Sequence, residues 1–472
     1  MSGFIQGQAR NQSALFPEYL DDFVAEESAV RLIDLFIDEL NLSGLGFNTI
    51  PNSKGRPAYH PAVMLKIFIY GYFNRIASSR RLEQEAQRNI ELMWLVGRLA
   101  PDFKTIADFR KNNGEAIRLV CREFVMLCKK FDLFKDAFIA IDGSKFKAVN
   151  NRDKNFTRAK MKRRLVEVDA SIDRYLGELA KVDDQESASK TIRIKDRINA
   201  LKAEMTRLKT LEIEVLESPD KQVSLTDPDA RSMKSRGSGI VGYNVQTAVD
   251  VKHHLIINHL VTNEGSDRNQ LSDIAKQTKE VLGVKTLDVV ADRGYYKGEE
   301  LLACEQAGIT PYVPKPLTSN NRAKGLFDKS DFIYKPDDNE YECPAGERLT
   351  YRATREQKGK ILYYFYTTAC HECPIKSKCT TASKRQVTRW EHEDVMERVE
   401  AGLEDNPDMM KIRRAAAEHP FGTLKGWMGS THFLTKTLGR VSTEMSLHVL
   451  SYNMKRMINI VGIRAMMEEI TA

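Results

Sequence analysis

The sequence lacks any apolar run approaching the ~20 residues that a membrane-spanning helix needs. It also lacks the apolar core of a signal peptide, since the residues that follow Met1 soon become polar. Cysteine is scarce, with 7 residues in a chain of 472, which argues against a disulfide framework and favours reduced thiols or metal ligands. These absences predict a cytoplasmic protein with no membrane partner.

The composition that remains is that of a large, mildly basic globular protein. A chain of 472 residues can bury a sizeable core and hold two or three domains. Its formal net charge is +7, and its pI is near 8.8. This charge suits a polyanionic partner such as nucleic acid, although charge alone does not establish one.

Two aspartates each end a strand-like run of residues. Asp142 follows residues 137–141, and Asp292 follows residues 287–291. Carboxylates at the C-terminal ends of buried strands lie where α/β proteins place their ligands. The alternation of strands with a helix between about residues 245 and 292 fits an α/β sheet. In that sheet the two aspartate strands can be neighbours.

A third acidic residue lies between two cations in the pattern Arg414-x3-Glu418-x6-Lys425. On a straight helix these positions fall near one face, because four and seven residues are close to whole turns. Pro420 would kink or restart the helix, so the argument is weaker for Lys425 than for Arg414. Asp267 is a rival third carboxylate, with a helix N-cap as its alternative role. Carboxylate oxygens are the ligands that Mg²⁺ prefers, so the sequence predicts the kind of site that a phosphodiester-cutting enzyme needs.

These blocks resemble those of bacterial insertion-sequence transposases of the DDE type. The third block of that family reads Tyr-x2-Arg-x3-Glu-x6-Lys, which this chain matches except that Lys411 stands where the tyrosine would be. The stretches 141–145 and 291–295 resemble the first two blocks. The resemblance runs from about Gly7 to Ile463 and therefore covers nearly the whole chain.

The resemblance implies a ribonuclease-H-like catalytic core that cleaves transposon DNA ends and transfers the strands into target DNA. It implies two Mg²⁺ or Mn²⁺ ions held by Asp142, Asp292 and Glu418. Arg414 and Lys425 would neutralise phosphates of the DNA. The implied partners are double-stranded DNA, in the form of terminal inverted repeats and target DNA, and a second copy of the chain in a homodimer on that DNA. The implied location is the bacterial cytoplasm, in association with the nucleoid.

Three other functions remain open at this point. A metal-dependent nuclease that cuts without joining would carry the same carboxylates. A non-catalytic DNA-binding protein derived from a transposase would be expected to have lost one of them. A zinc-ribbon regulator is disfavoured, because the cysteine-rich stretch is a small part of the chain.

Residues 1–135 are predicted to form a helical N-terminal DNA-binding domain. Residues 78–113 contain two predicted short helices around a turn at Gly97, with six basic residues expected to be exposed: Arg80, Arg81, Arg88, Arg98, Arg110 and Lys111. This pattern is typical of a helix-turn-helix that reads DNA, and equally of a helical bundle with a solvated basic face. The family resemblance favours recognition of the DNA ends.

Residues 136–472 are predicted to form the catalytic domain, interrupted by two insertions. The first, 155–216, carries heptad repeats separated by a polar break and is predicted to be an antiparallel coiled-coil hairpin. It is interpreted as a structural insertion, with a dimerisation or DNA-clamping arm as the alternative. The basic run from Lys145 into this hairpin is interpreted as phosphate-contacting rather than as a solvated surface. The residues proposed to contact phosphates there are Lys145, Lys160, Lys162, Arg163 and Arg164.

The second insertion, 315–395, holds four of the seven cysteines: Cys343, Cys370, Cys373 and Cys379. Four thiolates suit a closed structural Zn²⁺ site, and free thiols are the alternative. Trp390 lies in the same insertion. It is expected to pack in the protein, although related transposases use an insertion aromatic to hold a flipped base.

Overall fold

The computed structural model describes residues 19–50, 57–150, 154–180, 188–235, 238–316 and 320–472. Several parts of the sequence predictions lie outside these residues: residues 1–18 and 51–56 of the N-terminal domain, 151–153 of the basic run, 181–187 of the hairpin, 236–237 of the catalytic domain and 317–319 of the second insertion. No helix within the described ranges combines the length and the apolar character required to cross a membrane.

The N-terminal part of the chain is helical, as the sequence predicts. Ser28 caps the first helix by accepting a hydrogen bond from the Val30 amide, and Pro61 occupies the first turn of the second helix. Asp102 caps the fifth helix through the Thr105 amide. Helices α1 to α6 are Ala29–Asp38, Pro61–Phe73, Ser79–Arg88, Ile90–Leu95, Phe103–Asn112 and Gly114–Lys130.

A long helical hairpin follows the first strand. Strand β1 (Phe138–Lys147) leads to the short β2 (Asn155–Thr157), then to helices α7 (Arg158–Ala180) and α8 (Ala188–Glu217) and strand β3 (Gln222–Ser224). β2 and β3 pair antiparallel at the base of the hairpin. The two helices bury positions of the heptad pattern against each other: Met161, Val168, Ile172, Leu201 and Leu208.

The main sheet is completed by the next segments of the chain. Strands β4 to β8 are Arg231–Ser235, Ser238–Asp250, Ile256–Thr262, Leu287–Ala291 and Ile309–Tyr312, with helices α9 (Leu271–Leu282) and α10 (Gly298–Gln306) between them. The order of strands is β4-β5-β1-β7-β8, and β6 pairs with β5. β1 is parallel to β7 and antiparallel to β5. This arrangement confirms the predicted mixed α/β class.

The remaining chain forms a second sheet and four more helices. Strands β9 to β13 are Ile333–Lys335, Glu340–Glu342, Arg348–Gln357, Lys360–Tyr366 and Val387–Trp390, and they form an antiparallel sheet in the order β13-β12-β11-β10-β9. Helices α11 to α14 are Glu393–Asp405, Met409–Gly422, Leu438–Val461 and Ile463–Thr471.

The N-terminal helices share one hydrophobic core with the main sheet. Phe36 and Phe124 belong to the same buried cluster as Ile141 of β1 and Met454 of α13. Helix α13 packs against α2, α6 and β6. The buried Asn453 amide exchanges hydrogen bonds of 2.8 and 2.9 Å with the backbone of Ile256. The helices of residues 29–130 are therefore built into the body of the protein.

The predicted helix-turn-helix differs from the structure in two respects. Residues 78–113 contain three helices, α3 to α5, because Asn89 starts a separate short helix by capping it through the Leu92 amide. Arg110 is buried rather than exposed, and its guanidinium donates a 2.6 Å hydrogen bond to the Tyr72 hydroxyl. Arg88 pairs with Glu85. Gly97 does lie in a turn, with a φ of +60° that favours glycine.

Burial of His448 on α13 predicts a loss of stability in acid. Its ring lies edge-on against Tyr72, at 4.6 Å between centroids, and burial together with the Arg110 cation lowers its pKa to about 3. Below the unfolded-state pKa of about 6.5, the unfolded chain binds a proton that the folded chain does not. The folded state should therefore lose about 2 kcal/mol through this residue between pH 7.5 and pH 5.

Urea unfolding of the wild-type protein and of His448→Phe at both pH values measures this effect. Phenylalanine keeps a ring against Tyr72 but cannot be protonated, so the variant should lose less stability at pH 5 than the wild type. An equal loss in the two proteins would contradict the assignment.

Candidate active site

Asp142 and Asp292 lie side by side at the end of the parallel pairing between β1 and β7. Ile141 is paired with Ala291, so the two aspartates are the next residues on the two strands. Asp142 does not end its strand as predicted, because β1 continues to Lys147 against the antiparallel neighbour β5. Asp292 follows β7 directly and accepts a 2.7 Å hydrogen bond from the Gly294 amide.

Arg413 joins the two carboxylates, although the sequence analysis did not single it out. Its Nη2 atom lies 2.8 Å from Asp142 Oδ1 and 3.9 Å from Asp292 Oδ2. The Arg413 side chain is 14% exposed, and its Nε atom is buried with no hydrogen-bond partner among the described residues. Arg414 is exposed and does not line the cleft that contains these residues.

The phase of α12 explains why Arg413 rather than Arg414 faces the aspartates. Ala416 and Ala417 pack against the strand residues Ala140 and Val290. Positions three and four residues apart share a helix face, so Arg413 lies on the face that is turned to the sheet. The sequence contains no signal that separates the two arginines, because Ala415, Ala416 and Ala417 form a continuous alanine run that lies within one turn of both.

Glu418 lines the same open cleft as Asp142, Asp292 and Arg413. The cleft has a volume of about 750 Å³, and Lys425 also lines it. The Glu418 side chain is exposed. Within the described ranges no group of three or more histidine, cysteine, aspartate or glutamate side chains is arranged closely enough to hold a metal ion. The three predicted carboxylates thus share a cleft without converging on one point.

Lys425 is fixed against strand β1. Its Nζ donates hydrogen bonds to Ser144 Oγ at 2.6 Å and to the Lys145 carbonyl at 2.8 Å, and it lies 4.3 Å from the centre of the Phe146 ring. Pro420 does not end α12, which runs to Gly422 and continues as a π-helical turn over residues 423–427. This turn brings Lys425 to the cleft despite the proline.

Asp267 borders the site as a firmly held carboxylate. Its Oδ1 accepts hydrogen bonds of 2.7 Å from each of the buried amides of Asn244 and Gln246. A Cβ atom at Gly143 would lie 2.6 Å from the same oxygen, so only glycine fits there beside Asp142. The helix N-cap role is filled by Ser266, which accepts from the Arg268 amide. The alternative N-cap interpretation of Asp267 was therefore wrong.

Asp142 lies near two other carboxylates, Asp292 and Asp267, and near the Arg413 cation. Burial raises the pKa of Asp142 to about 6, while Arg413 and the Gly143 amide lower it and Asp292 and Asp267 raise it further. Burial also raises the pKa of Tyr295 well above its usual range, and the same three aspartates add to the effect. The Tyr295 hydroxyl donates a hydrogen bond to Gln246 Oε1, and Gln246 Nε2 donates one to Asp267. A cation at this place is favoured electrostatically.

Comparison with known families decides the identity. A family model described as "Transposase DDE domain" matches residues 213–454, and one described as "Transposase domain (DUF772)" matches residues 18–112. The chain belongs to the DDE transposases. The match of the DDE domain contains Asp292, Arg413 and Glu418, whereas Asp142 lies between the two matched ranges.

Other comparisons add little to the family match. No curated protein is significantly similar to the chain. Among solved structures, the piggyBac transposase synaptic complex with hairpin DNA is 8% identical, with 94% of this chain and 79% of that chain covered. Its TM-score is 0.29, a value too low to carry an argument about fold or mechanism.

The basic run that begins at Lys145, near the end of β1, divides into residues with different surroundings. Lys145 lines the cleft. Lys160 donates a 3.0 Å hydrogen bond to the Asn155 carbonyl at the base of the hairpin. Arg163 lies 3.7 Å from Glu167, and Arg164 lies 2.9 Å from Glu204 on α8. Lys162 is exposed on the hairpin. The run therefore does not form one continuous unpaired basic surface.

The cysteines of the second insertion lie close together, but the structure does not support zinc. Cys343, Cys370, Cys373 and Cys379 line one small pocket and are half-buried. They do not form a metal-holding group within the described part of the chain. Trp390 is buried, with its ring so close to Gly298 that a Cβ there would lie 2.7 Å from it. This packing agrees with the structural role expected for Trp390.

Proposed function

We propose that this DDE transposase cleaves the ends of its transposon DNA and joins the freed strands to target DNA, with a divalent metal as cofactor. The observation that carries the proposal is the placement of Asp142 beside Asp292 on neighbouring strands, with Glu418 lining the same cleft. Family membership supports it independently. A ribonuclease-H-like core, formed by the main sheet with α12 against it, is part of the same proposal.

The residues of the cleft fit a hard divalent cation by their chemistry. The donors are carboxylate oxygens, which Mg²⁺ and Mn²⁺ prefer. Asp142, Asp292 and Glu418 would hold two such ions. Bound there, the ions would supply an activated oxygen nucleophile and charge stabilisation at the leaving oxygen. Glu418 would have to move inward, and Arg413 would have to release the aspartates.

The side chains around the carboxylates have separate roles in this proposal. Lys425, which is held by Ser144 and the Lys145 carbonyl, places a positive charge at the cleft where a phosphate of the DNA would lie. Lys145 lines the same cleft and would contact a neighbouring phosphate. Arg414, together with the exposed Lys162, would contact DNA outside the cleft. The pairing of Arg164 with Glu204, and the use of Lys160 by the hairpin base, make these two weaker phosphate contacts.

The proposed partners are double-stranded terminal repeats and target DNA, bound by a homodimer. The N-terminal helices would contribute to recognition of the ends, but as part of the common core rather than as a separate domain. The hairpin of α7 and α8 lies between β1 and β4 in the chain, and its base strands β2 and β3 contact β4. It would provide a further surface for DNA or for the second copy.

The test is an incubation of the protein with a labelled duplex that carries the terminal repeat of its element, in Mg²⁺ or Mn²⁺. Strand breaks at the repeat boundary that require the metal are expected. Breaks at random positions, with no preference for the boundary, would indicate a general nuclease. Binding without breaks under any metal would indicate a non-catalytic DNA-binding protein. Either result would overturn the proposal.

A further inference from the structure

A second basic groove lies between the N-terminal helices and the segment that precedes α13. Its volume is about 490 Å³, and it is lined by α3, α5 and residues 434–440. Four exposed cations line it: Arg80, Lys111, Lys436 and Arg440. The groove thus brings together side chains that are more than 300 positions apart in the sequence.

The four exposed cations of this groove form no ion pair with another residue in the described ranges, in contrast to Arg164 of the hairpin. However, Glu444, Asp227 and Asp229 accept hydrogen bonds from backbone amides of residues 434–438. Asp108 is the single acidic residue in the lining, and the buried Arg110 adds a further positive charge. A concave surface with such an excess of one sign concentrates the field and attracts anions.

The start of α3 adds hydrogen-bond donors to the same groove. Ser78 is the N-cap residue of α3, but its side chain does not cap the helix, and both Ser78 and Ser79 line the groove. The first amides of a helix have no partners within the helix and favour anions. Backbone amides therefore add to the four cationic side chains. DNA-binding proteins contact phosphate groups with this combination of donors.

The groove is connected to the catalytic cleft by strand β1. Lys147 at the end of β1 is bridged to His432, and its carbonyl accepts a 2.9 Å hydrogen bond from the Phe433 amide. At ~3.3 Å per residue, Lys147 lies ~16 Å along the strand from Asp142. The four residues from His432 to Lys436 span at most ~14 Å. With the strand separation of ~5 Å, the groove lies within ~35 Å of Asp142.

We propose that this groove binds the phosphate backbone of the transposon DNA end, no more than about one helical turn of duplex from the scissile phosphate. The inference rests on the proposed function and adds a second, non-catalytic phosphate site to it. The groove contacts phosphates rather than bases, so it holds the duplex in position without reading its sequence.

The test measures binding of a fluorescein-labelled terminal-repeat duplex in EDTA over a range of salt concentrations. The variants are Lys436→Gln/Arg440→Gln and Arg80→Gln/Lys111→Gln, each with two charges fewer. The matched control is Lys130→Gln/Arg464→Gln, which removes two exposed charges away from both the groove and the cleft. Thermal unfolding of each variant establishes that it is folded.

Both groove variants should lower the slope of log affinity against log salt by about two, and the control should not, because each phosphate contact contributes about 0.9. The loss should appear with a duplex that extends 15 base pairs from the cleavage site, because that length exceeds the ~35 Å that at most separates the groove from Asp142. A folded groove variant with the slope of the control would overturn the proposal. The binding assay contains no metal, so its outcome does not depend on catalysis. A wild-type protein that binds in this way, yet does not cleave the same DNA when Mg²⁺ is supplied, would contradict the proposed function but not the proposed phosphate site.

Discussion

Replacement of Asp142 or Asp292 by asparagine should abolish cleavage of terminal-repeat DNA. Each change removes a negative oxygen from the place where the two strands bring their carboxylates together. The metal supplies several kcal/mol of charge stabilisation in sites of this kind, so the rate should fall at least about 10³-fold. DNA binding, measured in EDTA by gel shift, should change little, because neither aspartate attracts a phosphate.

Asp288→Asn is the matched control for this experiment. Asp288 is the second residue of β7, the strand that Asp292 follows, and it is absent from the lining of the cleft. Its substitution should leave the rate within about twofold of the wild type. Glu418→Gln and Asp267→Asn together identify the third carboxylate. An active Glu418→Gln with an inactive Asp267→Asn would move that role to Asp267.

Arg413→Gln should bind metal more tightly than the wild type and be less stable without it. In the wild-type protein the guanidinium neutralises Asp142 and Asp292, so an incoming cation must compete with it. Without this arginine the ion no longer competes with the guanidinium, so the affinity for Mn²⁺ should rise about tenfold. That change corresponds to about 1.4 kcal/mol of binding free energy. The metal-free protein should lose about 2 kcal/mol, less than a fully buried pair would cost, because both partners retain some exposure.

Arg414→Gln, one residue further along α12, is the control. Arg414 is exposed and does not contact the two aspartates, so its substitution should leave metal affinity and metal-free stability near those of the wild type. Free Mn²⁺ measured by electron paramagnetic resonance gives the affinity, and urea unfolding in EDTA gives the stability. Equal Mn²⁺ affinities of the Arg413 and Arg414 variants would show that Arg413 does not occupy the place of the cation.

The sequence located the two strand-borne aspartates but not the cation between them. Each aspartate follows an apolar run, and that pattern survives in the structure because both runs are buried in one sheet. The spacing of Arg414, Glu418 and Lys425 predicts that they share one face of a helix. It does not predict whether that face is turned to the sheet. The packing of α12 on the sheet sets its rotation, and packing depends on strands distant in the sequence.

The local sequence pattern also did not predict the length of β1 or the burial of Arg110. β1 continues past Asp142 into polar residues because β5 supplies antiparallel partners as far as Lys147. Arg110 belongs to a basic stretch that is predicted to be exposed because it is charged. In the structure, the Tyr72 hydroxyl of α2 accepts a hydrogen bond from the buried Arg110 side chain. In both cases a long-range partner satisfies polar groups that a local reading would place in water.

The most direct test of the account is strand joining from a pre-cleaved end. A duplex with the terminal repeat and a free 3′-hydroxyl is incubated with supercoiled plasmid, Mg²⁺ and either the wild-type protein or Asp142→Asn. We expect plasmid covalently joined to the labelled end with the wild-type protein and no joined product with the variant. Absence of joining by wild-type protein that binds the same end, or equal joining by the variant, would contradict the proposed function.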